Sequence, residues 1–226
     1  MQRDPQRIEP TVTSDILTTS EPTSDGTVDE STADESTVDE STVDWFVLQE
    51  RAHHEFGERV AGIRDWSAAT PDKEWSVGDL VRHVVQEQQW IPPLLAGLSI
   101  DQAKRRVEPL GEDLAAEWRT HSALATAAWQ AAPADASVQL SYDTVTVLDY
   151  LREQVSDVTI HSWDLARATD SDESLDDALV EAVWTVFEPQ RDALEASGLF
   201  DSPVPMPEDA PLQSRLLALT GRDDRR

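Results

Sequence analysis

The residues of this chain whose types and spacing could do chemistry are His83, Asp157 and His161. Asp157 and His161 stand four apart in the run "LREQVSDVTIHSWDLARAT", residues 151–169. A helix turns once per 3.6 residues, so positions i and i+4 share a face. A carboxylate and an imidazole placed that way either bond each other or hold something between them. His83 sits in a second helical run, amid Val81, Val84 and Val85 and about one turn after Leu80. Neutral imidazole nitrogen and carboxylate oxygen suit a divalent metal, with Zn²⁺ the first choice and Ni²⁺, Fe²⁺ and Mn²⁺ also accommodated. Three protein ligands leave a coordination position for water or substrate, the pattern of a catalytic site.

Glu87, four residues after His83 on the same face, reads as a general base, a fourth ligand or an outer partner of a ligand. Asp164 and Arg167 follow His161 at i+3 and i+6. Asp164 either orients a histidine from the second shell of a site or makes a structural salt bridge or cap. A plainer reading stands beside the metal one, since an Asp–His pair at i,i+4 is also an ordinary ion pair. His53, His54 and His121 join no ligand pattern, and His53 and His54, next to Glu55, read as solvated. Trp90 and Trp163 read as core rather than pocket wall, as large aromatics at helical spacing usually do.

Composition narrows the function. The chain has 226 residues, 39% of them hydrophobic and none of them cysteine. That length allows one domain with a substantial core and an appendage. Without cysteine there are no disulfides, thiolate metal sites or cysteine nucleophiles, and the composition suits a reducing cytoplasm. The sequence shows neither an apolar run of membrane-spanning length nor a signal-peptide pattern at its start. The formal net charge is -27, and Lys73 and Lys104 are the only lysines. Such a surface repels phosphate backbones and anionic lipid, so nucleic acid and membrane are excluded as partners. An acidic, lysine-poor surface fits a high-salt cytoplasm, and a GC-rich genome would also favour arginine over lysine.

These side chains need elements to position them. Residues 1–44 hold 12 acidic and two basic side chains and the repeat "STADE", "STVDE", "STVDW". With almost nothing to bury, this segment reads as a disordered acidic tail. From Trp45 the pattern becomes helical, with Phe46, Val47, Leu48, Phe56, Val60 and Ile63 spaced as one face. A second helix opens at Ser76 with Asp79 in capping-box spacing, and Pro92 and Pro93 should break or kink it. The run "GEDLAAEWRTHSALATAAWQAA" is a third, "SVQLSYD" a short extended piece, and residues 145–169 a fourth helix. "SLDDALVEAVWTVFEPQRDALEASG" reads as a fifth helix and "PLQSRLLALTG" as a short last one. The fold class is all-α: a four-helix bundle, residues 45–226, with additional C-terminal helices. Bundles build metal sites from inward side chains of facing helices, which is where these three residues would meet.

The motifs "EWSVGDLVRHVVQEQQWIPPLLAG", "SDVTIHSWDLARATD" and "RLLALTGRD", in that order, resemble the actinobacterial DinB-like metal-binding proteins. These are related to the metal-binding N-terminal domain of mycothiol-dependent maleylpyruvate isomerase. The resemblance covers residues 45–223 and implies a DinB-like four-helix bundle. It also implies a divalent metal held by His83, Asp157 and His161, and a low-molecular-weight thiol activated on that metal to attack an electrophile. The isomerase has Glu where this chain has Asp157, one methylene shorter, and relatives often carry Pro-Cys where Asp72 and Lys73 follow Pro71 here. The separate C-terminal domain of the isomerase is not expected after this bundle, so its reaction on maleylpyruvate is not carried over. Three function classes result. The first is a metal-dependent enzyme on a small-molecule substrate, either of the thiol-transferase or isomerase type or a hydrolase using metal-bound water. The second is a non-catalytic metal-binding or stress-response module, with a homodimer as a further expectation. The third is a purely structural helical domain in which Asp157 and His161 pair.

Overall fold

The computed structural model describes residues 43–72 and 75–225. The expected acidic tail therefore lies outside the described residues, apart from Val43 and Asp44. Asp44 begins the fold: its carboxylate accepts from the backbone N–H of Phe46 at 3.0 Å and Val47 at 3.2 Å, capping α1, Trp45–Ala61. A side-chain oxygen there satisfies donors that the first helical turn leaves over. α1 buries Trp45, Leu48, Ala52, Phe56 and Val60, a stripe at 3–4-residue steps. Val47, expected on that face, is exposed instead. One residue before Leu48 is a 100° rotation, enough to leave the stripe.

α2, Val77–Leu95, opens with the capping box read from sequence. The Ser76 hydroxyl accepts from the Asp79 N–H at 3.2 Å, and the Asp79 carboxylate accepts from the Ser76 N–H at 3.0 Å. Of the break or kink expected at Pro92 and Pro93, the break does not occur, because the helix continues through both to Leu95. The two missing N–H groups fall in its last turns, and their own carbonyls still accept, from Ala96 and Leu98. α3, Ile100–Lys104, is a single turn before α4, Leu114–Ala131. The short extended piece becomes an antiparallel hairpin, β1, Ser137–Gln139, paired with β2, Thr144–Thr146.

Thr146 ends that hairpin and caps α5, Val147–Ala168, accepting from the Asp149 N–H at 3.0 Å. α5 is the central helix and is buried on nearly every side, polar residues included. Thr159 and Ser162 satisfy their hydroxyls on carbonyls one turn back, Val155 and Val158. α1 lies along α5 and α2 along α4, with α2 also meeting α5. The fold is all-α, a four-helix bundle of α1, α2, α4 and α5 with C-terminal helices added.

The expected fifth helix divides into α6, Asp177–Phe187, a 3₁₀ turn at Glu188–Gln190, and α7, Arg191–Ser197. Pro189 explains the division, since it has no N–H and its ring collides with the carbonyl four residues back. α8, Leu212–Leu219, follows. These pieces close a second apolar cluster, in which Leu216 and Leu217 pack with Val183, Phe187, Ile160 and Trp163. That cluster ties the C-terminal segment to the second half of α5, beside His161.

Candidate metal centre

The capping box fixes where α2 starts, and with it the direction in which His83 projects in the second turn. α5 supplies the opposite wall. His83 Nε2 lies 3.7 Å from Asp157 Oδ2, and His161 Nε2 lies 3.4 Å from Asp157 Oδ1. One ligand atom from each of the three residues lies within 4.8 Å of the others. Asp157 thus stands between two imidazoles, one from each helix. Its side chain is 27% exposed, yet Oδ2 is closed off from solvent and accepts no hydrogen bond. A buried carboxylate oxygen in that state costs free energy unless something positive meets it. Two imidazole nitrogens and this oxygen form a donor set that a divalent cation would satisfy, so the residues fit the metal that their types suggested.

The electrostatics agree with the geometry. Burial alone would raise the Asp157 pKa, but His161 and His83 reverse that and hold it well below the usual carboxylate range. Burial would lower the His161 pKa, but the carboxylates of Asp157 and Asp164 raise it above its ordinary value. Those carboxylates favour the protonated imidazole, which a metal bound at Nε2 would have to displace.

His161 uses its other nitrogen as well. Nδ1 donates to Asp164 Oδ2 at 3.1 Å, leaving Nε2 directed at Asp157. This is the arrangement by which a carboxylate fixes the tautomer and ring orientation of a ligand histidine. Asp164 makes an ion pair at the same time, receiving two hydrogen bonds from Arg222: Nε to Oδ1 at 3.1 Å and Nη2 to Oδ2 at 2.7 Å. Asp164 is fully buried, and burial would raise its pKa, but Arg222 and His161 bring it down to about 2. Arg167, three residues after Asp164, donates instead to Glu173 and the Asp224 carbonyl.

The Trp75 ring covers the centre, with its centroid 4.7 Å from that of His83 and 5.7 Å from that of His161. Trp75 and Arg222 are the two participants that reading the spacing did not single out. Trp75 precedes the Ser76 cap and could have been found from that. Arg222 is 58 residues from Asp164 and carries no periodic signal.

Glu87 is buried, one turn further along α2, and does not join the three-residue group. It lies in the field of Tyr150 and Glu153 of α5. There Glu153 accepts from the Tyr142 hydroxyl of the β1–β2 hairpin at 2.7 Å, and burial is the first cause pushing its pKa up to about 8. The solvated reading of His53 is corrected. It is wedged between α1 and α4, 2.8 Å from Gln49 Nε2 and edge-on to Trp118, and burial lowers its pKa to about 4. His54 is exposed, and His121 pairs with Glu117 at 3.1 Å. Trp90 and Trp163 are both buried in the core. Trp163 also helps line a cavity of about 830 Å³, together with Arg167 and Arg222, whose walls include none of the three candidate ligands.

Among the described residues no helix is long and apolar enough to cross a membrane. No curated protein and no solved structure matches the chain. The family model described as the mycothiol maleylpyruvate isomerase N-terminal domain does match, over residues 49–166. That span runs from α1 to the last turn of α5 and contains His83, Glu87, Asp157, His161 and Asp164, whereas Arg222 lies beyond it. The chain belongs to the mycothiol maleylpyruvate isomerase N-terminal domain family, a DinB-like family of metal-binding domains.

Proposed function

We propose that this protein binds one divalent transition metal, zinc in the first instance, through His83, Asp157 and His161. We further propose that it acts there as a thiol-dependent transferase or isomerase on a small electrophilic substrate. The observation that carries the reading is Asp157, whose two carboxylate oxygens each face an imidazole nitrogen from a different helix, His83 Nε2 at 3.7 Å and His161 Nε2 at 3.4 Å, with Oδ2 closed to solvent and accepting no hydrogen bond. A bound divalent cation would lower the pKa of a thiol and hold the thiolate ready as a nucleophile.

The chain's own groups have separate tasks. Asp157 would supply the one negative charge of the set, and Asp164 holds the His161 ring so that Nε2 lies beside Asp157, where a metal would be bound. Trp75, tilted over both imidazoles, keeps water from that side. Glu87 and the protonated Glu153 sit one turn deeper between α2 and α5 and provide carboxyl groups able to accept or return a proton. Binding without turnover is the second reading, favoured by the Trp75 ring that lies over both imidazoles.

Loading the protein with Co²⁺ and adding a low-molecular-weight thiol separates the two readings. A thiolate-to-cobalt absorption band, together with thiol-dependent consumption of a small electrophile, supports the enzyme. A Co²⁺ spectrum that no thiol perturbs, in a protein that binds the metal, supports the binding module.

A further inference from the structure

The residue that locks the proposed metal centre comes from outside the part of the chain that the family model matches. Arg222 owes its place to the way α8 ends. The Arg222 N–H donates to the Leu217 carbonyl at 2.8 Å and the Gly221 N–H to the Ala218 carbonyl at 3.1 Å. Gly221 has φ +81°. This pair of bonds around a left-handed glycine is the Schellman ending of a helix, and it places Arg222 immediately after the turn. Gly221 has no substitute there, since a Cβ would meet Asp201 Cβ at 2.5 Å and the Asp201 carbonyl oxygen at 2.7 Å. The guanidinium then spends its donors in one direction. Nε and Nη2 both go to Asp164, Nη1 goes to the Thr220 carbonyl at 2.8 Å, and the plane lies 5.4 Å from the Phe200 ring centroid.

We propose that Arg222 is a positioning residue of the metal centre. It grips both oxygens of Asp164 so that Asp164 holds His161 in the orientation that presents Nε2 beside Asp157. The two-bond grip matters because an aspartate held through one oxygen can still rotate, and the His161 Nδ1–H bond rotates with it. The C-terminal helices α6–α8 thus complete a site whose ligands all lie in α2 and α5. This inference rests on the metal reading given above.

The test compares wild type with Arg222→Met and Arg222→Lys in the full chain, using Zn²⁺ and Co²⁺ as probes. Supporting arms that orient a ligand are typically worth 10–100-fold in metal affinity. Arg222→Met is expected to weaken Zn²⁺ by about that factor, and Arg222→Lys, which keeps the charge but not the fork, to recover only part of it. The Co²⁺ spectrum should change in both variants, a readout that a merely structural role would not move. In metal-free protein the His161 ring resonances should shift while those of His53 stay in place. If Arg222→Met does not fold, Arg222→Lys and its ring resonances carry the decision. A folded variant with wild-type metal affinity, Co²⁺ spectrum and His161 resonances overturns the proposal. If wild type itself takes up no metal, the metal reading fails, and a shift of the His161 resonances alone then reports whether the Arg222–Asp164 grip positions the ring.

Discussion

Glu153→Gln should make this protein more stable, and increasingly so as pH rises. Glu153 is 8% exposed, accepts from Tyr142 through Oε1, and has Oε2 buried without a hydrogen-bond partner. Burial, with the nearby charges of Asp149 and Glu87, moves its pKa from 4.5 to about 8. The folded state therefore holds the proton more tightly than the unfolded chain does. Its contribution is complete below about pH 4.5 and is lost as pH climbs toward 8. At pH 7 the unfolded side chain is 2.5 units above its pKa, and at 1.36 kcal/mol per unit the folded state has given up about 3 kcal/mol. The loss levels off near 5 kcal/mol above pH 8, where the full shift of 3.5 units counts. Glutamine has the same outline, keeps an oxygen for the Tyr142 hydroxyl, and has no proton to lose. Urea unfolding of both proteins between about pH 5 and 8 reads the difference directly. The gap in stability should widen with pH, by up to about 1.4 kcal/mol per unit. Parallel curves across that range would refute the reasoning, because they would mean that Glu153 titrates alike in both states.

The opposite slope is expected at His53, whose pKa falls from 6.5 to about 4 between α1 and α4. Its stabilisation should be lost as pH falls through that window, by about 3 kcal/mol, and His53→Gln should flatten the acid limb of the unfolding curve. Phe56→Ala removes a fully buried ring packed edge-on to Trp118 and should cost about 3–5 kcal/mol in chemical denaturation. Ser76→Ala removes the α2 cap, costing about 1 kcal/mol of stability, and it should also weaken Zn²⁺ binding because the same cap aims His83. Zn²⁺ affinity itself should rise with pH through the range where His161 gives up its proton, which calorimetry in buffers of different ionisation enthalpy would show as proton release.

Much of this arrangement was legible because helices write themselves into sequence at a short period. Leu48, Phe56 and Val60 on one face and the Ser76–Asp79 cap are local signals, and so is the four-residue step from Asp157 to His161. The histidine and carboxylates on facing helices could be paired once a bundle was assumed. What failed to show depends on contacts between distant segments. Arg222 reaches Asp164 across 58 residues of chain, and only the packing of α8 on the end of α5 brings them together. His53 looked solvated because its sequence neighbours are charged, but its direction on α1 points it at Trp118 of α4. Pro92 and Pro93 looked like a helix break because the cost of a missing N–H was assigned without knowing that α2 had only a turn left to run. Pro189, with no such nearby end, does interrupt its helix.

The most direct test of the metal centre is elemental analysis of protein purified without added metal or chelator, with His83→Ala and Asp157→Asn beside wild type. About one equivalent of a divalent transition metal is expected in wild type, most of it lost in each variant while the helical circular dichroism is kept. Wild type that stays metal-free after incubation with Zn²⁺ or Ni²⁺, or variants that bind as much as wild type, would contradict it. His83, Asp157 and His161 would then be no more than a buried ion-pair cluster between α2 and α5.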